Sequence, residues 1–351
     1  MARRTLSLAI RLACLVGATW GWLGCRPPPE AGARKITDLR DTIWTLVGGA
    51  ADTVLLNPIA LAAADGHVYV ADLGGPRVLA LDVRSGTLLW TFGRSGGGPG
   101  EFSAPGSLAV LPDGNVIVAD RIGARITIIS REGRLVATQA PSLPDIHAIC
   151  GVSSQQALVY SAGMQPPFAL VDLDAGSTVG LLTPWPAFDS LSALARQVNL
   201  SSSPAERAGC WVTLIAVGQF SRYDGEGFES LREYVERVPF PKVDTQVVTD
   251  ASGRVRSRRE RLARRPGAAQ AAAAYHHELL VLFGGQTEDA RRIIDVYEAP
   301  GHYRRSLRLG SVAHAVAADA GIVVVLTTMA QVGAGGSEDL PYPALVALRM
   351  P

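Results

Sequence analysis

The segment Pro58–Val136 reads almost the same line twice. The first copy is Pro58-Ile59-Ala60-Leu61-Ala62-Ala63-Ala64-Asp65-Gly66-His67-Val68-Tyr69-Val70-Ala71-Asp72. The second is Pro105-Gly106-Ser107-Leu108-Ala109-Val110-Leu111-Pro112-Asp113-Gly114-Asn115-Val116-Ile117-Val118-Ala119-Asp120. Asp65-Gly66, Asp72 and Arg77 each recur 48 residues later, as Asp113-Gly114, Asp120 and Arg125. Self-similarity at this period marks a stacked or radial array of one supersecondary unit, which cannot bury its apolar face alone. Such an array holds 351 residues in a single body. With 48% hydrophobic and 19% charged residues the chain can bury a core, which excludes global disorder. A net charge of +1 gives the whole chain no polyanion to seek, and nucleic acid is set aside as a partner.

Within the first copy, Asp65-Gly66 is a hairpin turn signal ahead of His67–Ala71, a strand rich in β-branched and aromatic residues. Arg77–Asp82 and, after Ser85-Gly86, Thr87–Phe92 follow as strands, and Ile59–Ala63 completes four antiparallel strands. Four-stranded units at this spacing are the blades of a β-propeller. The expected fold class is therefore all-β, with six four-stranded antiparallel blades. Blade three runs from about Ile146 to Leu182, and Phe188–Ala208 is less strand-like, with room for a short helix. Blade four spans Cys210–Val238. Blade five offers Glu278–Phe283, Arg292–Tyr297 and Tyr303–Leu309, and blade six Val312–Ala317, Gly321–Leu326 and Ala344–Met350. Blade six lacks a fourth strand, and Ile43–Val47 is an orphan strand at the other end. Giving this N-terminal strand to the last blade closes the ring and removes open edges.

The connector Gly93-Arg94-Ser95-Gly96-Gly97-Gly98-Pro99-Gly100-Glu101-Phe102, the Pro-led inner strand and the Val-Ala-Asp endings at Asp72 and Asp120 resemble NHL-type repeats and the bacterial six-bladed propeller family. The resemblance covers Thr42–Thr138 most clearly. It implies a six-bladed ring whose relatives include both binding proteins and metal-dependent hydrolases or lyases that place a metal in the central channel.

The N-terminus reads as a leader. Arg3 and Arg4 precede an apolar run from Leu6 to Leu23, broken by Arg11. Its end, Trp22-Leu23-Gly24-Cys25, resembles the bacterial lipoprotein box, with Trp22 where Leu is usual. The resemblance implies a signal peptide over 1–24 and lipid on Cys25. An uncleaved membrane helix and an ordinary cleaved signal are the alternatives, and Arg11 is costly in the first. All three put the body outside the cytoplasm, with a cell-envelope address. Residues 25–41, with Pro27-Pro28-Pro29, read as an extended tether, and 42–351 as the propeller. A basic insertion of about 240–274 interrupts it. There Arg254–Arg265 is read either as a segment drawn to anionic lipid or as a solvated loop or short helix, followed by an uninformative alanine run.

Of the two cysteines in the body, Cys150 and Cys210 suit one disulfide in an oxidising compartment, or two separate buried thiols. The pairs Asp72…Arg77 and Asp120…Arg125 could set carboxylates at a channel mouth, as in the calcium-dependent lactonases the fold resembles. Their repetition favours a pin that holds each blade in the same way. Ser221 and Ser257 lack a nucleophile elbow, and no zinc or phosphate-loop motif occurs. His147 and His314 fall on expected inner strands and His277 just before the Glu278–Phe283 strand of blade five, so these three are the candidate metal ligands. No carboxylate is visibly placed to support them, so the expectation is no metal and no cofactor. The reading is an envelope-anchored binding or scaffold propeller, held to the membrane by lipid on Cys25 and meeting an envelope protein or small ligand on one face. The alternative is a metal-dependent hydrolase or lyase.

Overall fold

Runs of valine, isoleucine and leucine set between glycine turns become strands throughout the computed structural model. It describes residues 33–48, 54–185, 197–204, 209–236, 238, 243–250, 252–262, 267–285, 287–329 and 341–351. Among the described residues there is no helix. Two short strands, β1 (Ile36–Asp38) and β2 (Thr42–Val47), come first. Blade one is β3 (Pro58–Ala64), β4 (His67–Asp72), β5 (Arg77–Asp82) and β6 (Leu88–Phe92). Blade two is β7 (Pro105–Val110), β8 (Val116–Asp120), β9 (Arg125–Ile129) and β10 (Leu135–Gln139). Blade three is β11 (Ala148–Gly151), β12 (Gln156–Tyr160), β13 (Phe168–Asp172) and β14 (Ser177–Leu182). Blade four is β15 (Val198–Ser201), β16 (Cys210–Leu214), β17 (Gln219–Tyr223) and β18 (Arg232–Glu233). A separate hairpin, β19 (Val243–Thr249) and β20 (Val255–Leu262), precedes blade five, which is β21 (Ala269–Tyr275), β22 (Glu278–Phe283), β23 (Ile293–Glu298) and β24 (His302–Arg308). Blade six joins β25 (Ala313–Asp319), β26 (Ile322–Met329) and β27 (Tyr342–Arg349) to β2.

The molecule is a six-bladed β-propeller of antiparallel blades. The ring closes as expected: β2 runs antiparallel along β27, with Val47 opposite Ala344 and Thr42 opposite Leu348. The inner strands β3, β7, β11, β15, β21 and β25 adjoin one another in that order and return to β3. The tight turns that leave the inner strands, such as Asp65-Gly66, define one face, called here the turn face. The segments that enter them from the preceding blade define the connector face.

Blade strands are covered on both sides, so they read as near-continuous apolar runs. Alternation sends successive residues to opposite clefts. Val68 and Val70 face Val324 and Leu345 of blade six, while Tyr69 and Ala71 face Val116 and Val118 of blade two. Each of the six clefts between neighbouring blades holds one apolar cluster of this kind.

A second device joins blades at their outer strands. Trp44 of β2 lies against Gly86 of blade one and donates its indole N–H to the Val83 carbonyl at 2.8 Å. Trp90 of β6 repeats this on Gly133 and the Arg131 carbonyl at 2.8 Å. Gln139 of β10 does the same on Gly176 and the Leu173 carbonyl at 2.8 Å. These glycines have φ of 71°, 79° and 65°, and a Cβ on any of them would overlap the side chain above it.

Several expectations need correction. The alanine run is not uninformative: Ala269–Tyr275 is the inner strand of blade five, so the insertion does not extend to 274. Alanine is a poor strand former in isolation, but the narrow axis favours small side chains, and context overrides propensity. Val198–Ser201 is the inner strand of blade four, inside the stretch read as less strand-like; the helix considered there falls partly on 186–196 and 205–208, outside the described residues. Arg254–Arg265 is neither loop nor helix over its described part, because Val255–Leu262 is the strand β20. The stretch 36–38, read above as part of a tether, is a strand. Ile36–Asp38 pairs in parallel with β24, giving blade five a fifth strand. Residues 25–32, Cys25 included, lie outside the described residues.

Candidate functional site at the channel and its two mouths

The channel wall is rich in alanine, with leucine, valine and serine between. Leu61, Ala62, Ala63, Leu108, Ala109 and Val110 face Ala272, Ala273, Ala274, Ala317 and Ala318 around a cavity of about 40 Å³, with Ser201 and Ser202 between them. That volume holds a few waters, whereas small-molecule pockets run to ~300–1,000 Å³. Inner strands have one unpaired edge, and part of it is satisfied by serine. Ser107 accepts the Ile149 N–H at 3.2 Å and Ser202 the Gly151 N–H at 3.1 Å, stitching blade three to both neighbours.

At the turn face the channel widens to about 110 Å³ beside Asp65, Ser203, Tyr275, His276 and Asp319. The polar groups here tie blades together. Asp319 accepts the Gly66 N–H at 2.6 Å, and the Tyr275 hydroxyl accepts the Gly321 N–H at 3.0 Å.

At the connector face four of the inner strands begin with a bulge. The register slips at Ile59, Gly106, Gln270 and His314, each the second residue of its strand. His147 takes the same place in blade three: its N–H donates to the Tyr160 carbonyl while Ala148 also pairs with Tyr160. A bulge re-aims its side chain, so both expected inner-strand histidines sit at the mouth. His147 Nε2 lies 3.0 Å from Asp145 Oδ2, and the buried Ser161 hydroxyl donates to Asp145 Oδ1. Asp145 thus takes both partners, and Ser161 never reaches the imidazole, so this is not a nucleophile–base arrangement. Burial and the neighbouring Arg291 cation hold the His314 pKa below its ordinary value.

The three candidate ligands do not come together. His147 and His314 stand at the connector face in blades three and six, across the ring, while His277 lies in the turn between β21 and β22 on the other face. Among the described residues no three His, Cys, Asp or Glu side chains are grouped to hold a metal. Cys150 and Cys210, buried on adjoining blades, are joined by a disulfide.

Asp72 and Asp120 are fully buried and act as pins. Asp72 accepts the N–H groups of Leu56, Asn57 and Gly74 and pairs with Arg77 at 3.2 Å. Asp120 accepts those of Ser103, Ala104 and Gly123 and pairs with Arg125 at 3.0 Å. Burial pushes the Asp120 carboxyl up, but these backbone N–H groups and Arg125 outweigh it and hold its pKa below the ordinary value. Sequence reasoning missed a third buried carboxylate, Asp295 on β23. Arg34 grips it with two hydrogen bonds of 2.9 Å, reaches Glu236 with its other nitrogen, and lies 4.2 Å over the Phe283 ring. No local spacing could have announced a pair 261 residues apart.

No family model and no curated protein matches the sequence. Solved structures do match in shape. U3-55K aligns with a TM-score of 0.55 at 12% identity, covering 88% of this chain and 98% of that one. The WD40 repeats of RRP9 align at 0.53 and 12%, covering 89% and 100%. A candidate exported protein of Bacteroides fragilis aligns at 0.53 and 10%, covering 90% and 99%. At these identities the likeness concerns the fold, which all of them share with this chain.

Proposed function

We propose that this chain is an envelope-anchored propeller of the NHL-type, six-bladed kind that binds a protein or ligand on an outer face, with Cys25 as the lipidated residue. The observation that carries the reading is the channel wall. Its cavity of about 40 Å³ is small for a substrate, and its mouths use polar groups to tie blades together. The reading places recognition on an outer face. The leader pattern and the Leu23-Gly24-Cys25 box support the anchor, and the Cys150–Cys210 disulfide suits an oxidising compartment. A likeness of fold to a candidate exported protein is compatible with that address.

The test has two arms. Cys25→Ser should abolish lipid labelling in cells and leave the precursor uncleaved or released; unchanged labelling and membrane retention in that variant would sink the anchor. The purified body should capture a defined partner from envelope extract without carrying a metal. About one zinc per chain by elemental analysis, lost in His147→Ala or His314→Ala, would replace the binder with the metal-dependent hydrolase or lyase.

A further inference from the structure

The connector between blades four and five sends out β19 and β20, a ribbon that pairs with no other described strand. Two strands without a third, or without a covering element, are marginal in water. The ribbon therefore calls for something outside the ring to lie against, and its residues say what. The ribbon from Val243 to Leu262 holds five arginines against Asp244, Asp250 and Glu260, in a chain whose total is only +1. Arg254 and Arg256 are exposed, and Arg256 keeps most of its side chain open while it leans on Asp250 at 3.8 Å. Beside them Val247, Val248 and Val255 are uncovered, Val255 to 62%. Arginine interleaved with open valine is the composition of a segment at a lipid–water interface. An acidic protein surface would match the arginines and leave the valines unmatched.

The rest of the connector face agrees. Leu56, Ile59 and Ile122 are exposed there, Ile122 to 71% and directly after the exposed Arg121. The other exposed large apolar side chains lie on the outer strands β1, β6, β10 and β14. We infer that the β19–β20 arm and the connector face dock on an anionic phospholipid bilayer. The valines enter the headgroup layer and the arginines meet lipid phosphates. The inference rests on the envelope reading, which supplies the membrane.

Vesicle co-sedimentation tests it with the chain from Arg26 onward, which lacks the leader and Cys25, so no covalent lipid contributes. The ring is complete within Ala33–Pro351, a single compact unit. Binding is expected to vesicles of phosphatidylglycerol in phosphatidylcholine, weakened by salt, and not to phosphatidylcholine alone. Arg254→Ala with Arg256→Ala should weaken it about 25-fold, roughly fivefold per arginine. Val255→Asp should weaken it with every arginine in place. Both variants should melt like the parent, since these side chains touch no core. Equal binding to neutral vesicles, no loss in the variants, or capture of polyglutamate in preference to anionic vesicles would each overturn the inference. Failed labelling of Cys25 in cells bears on the lipid anchor alone and leaves the vesicle result standing.

Discussion

Blades one and two on one side, and blade five on the other, each bury a carboxylate against an arginine, but they find that arginine differently. Asp72 and Asp120 take theirs from the same blade, five residues on, and add the backbone N–H groups of the segment entering that blade. Blade three rearranges the parts: Ser161 stands at the strand end, and the carboxylate, Asp145, comes from the entering segment. Asp295 has no arginine of its own. Its cation is Arg34, delivered by the N-terminal segment that also lays β1 along β24. A local pin orders one blade. The distant pin fastens the start of the chain to a blade formed near its end, just before β2 closes the ring.

The largest effect should come from removing residues through Val47, which strips the outer strand from blade six and leaves Asp295 buried without its cation. We expect a melting temperature lower by more than about 10 °C, or no cooperative transition. A truncated chain that melts like the parent would erase the distinction between the two kinds of pin. Next, Arg34→Met alone should cost about 3–5 kcal/mol in urea denaturation, and Arg34→Met with Asp295→Leu should regain most of it, because two apolar groups need no partner. If the double variant is as weak as the single one, the segment is held by β1 pairing and the ion pair is incidental.

Asp120→Ala should cost a similar ~3–5 kcal/mol, since Arg125 and three backbone N–H groups lose their acceptor together. Because the folded Asp120 carboxyl titrates below its ordinary value, its contribution is fully present above the unfolded value of about 4. It is lost as pH falls through the lower folded value. The gap between parent and variant should therefore be constant near neutrality and shrink in acid; a gap that widens in acid contradicts the assignment. Smaller still, Gly133→Ala should cost about 2–4 kcal/mol, as its Cβ would stand 2.7 Å from the Trp90 ring at a φ of +79°. Gly66→Ala, at a φ of +83° with nothing within 4 Å, carries only backbone strain, about 1 kcal/mol. Equal melting shifts for the two would mean that the outer-strand clasp contributes nothing.

The sequence by itself determined the blade. Asp65-Gly66 and Asp113-Gly114 fix a turn, the apolar runs after them are strands covered on both faces, and the Asp…Arg spacing of five sets a pin, all from residues close in the chain. It also determined the closure, because three strands at one end and one orphan at the other admit a simple solution. Tertiary structure decided what depends on distant partners or on shape around the axis. The run Ala271–Ala274 carries no strand signal of its own and becomes a channel wall only when the ring of inner strands forms around the axis. His147 and His314 share a bulge position at one mouth, yet the ring holds them on opposite blades. Arg34 and Asp295 meet because closing the circle brings residues 261 apart in sequence to one cleft, and a short-range pattern cannot record a contact that exists only when the circle is complete.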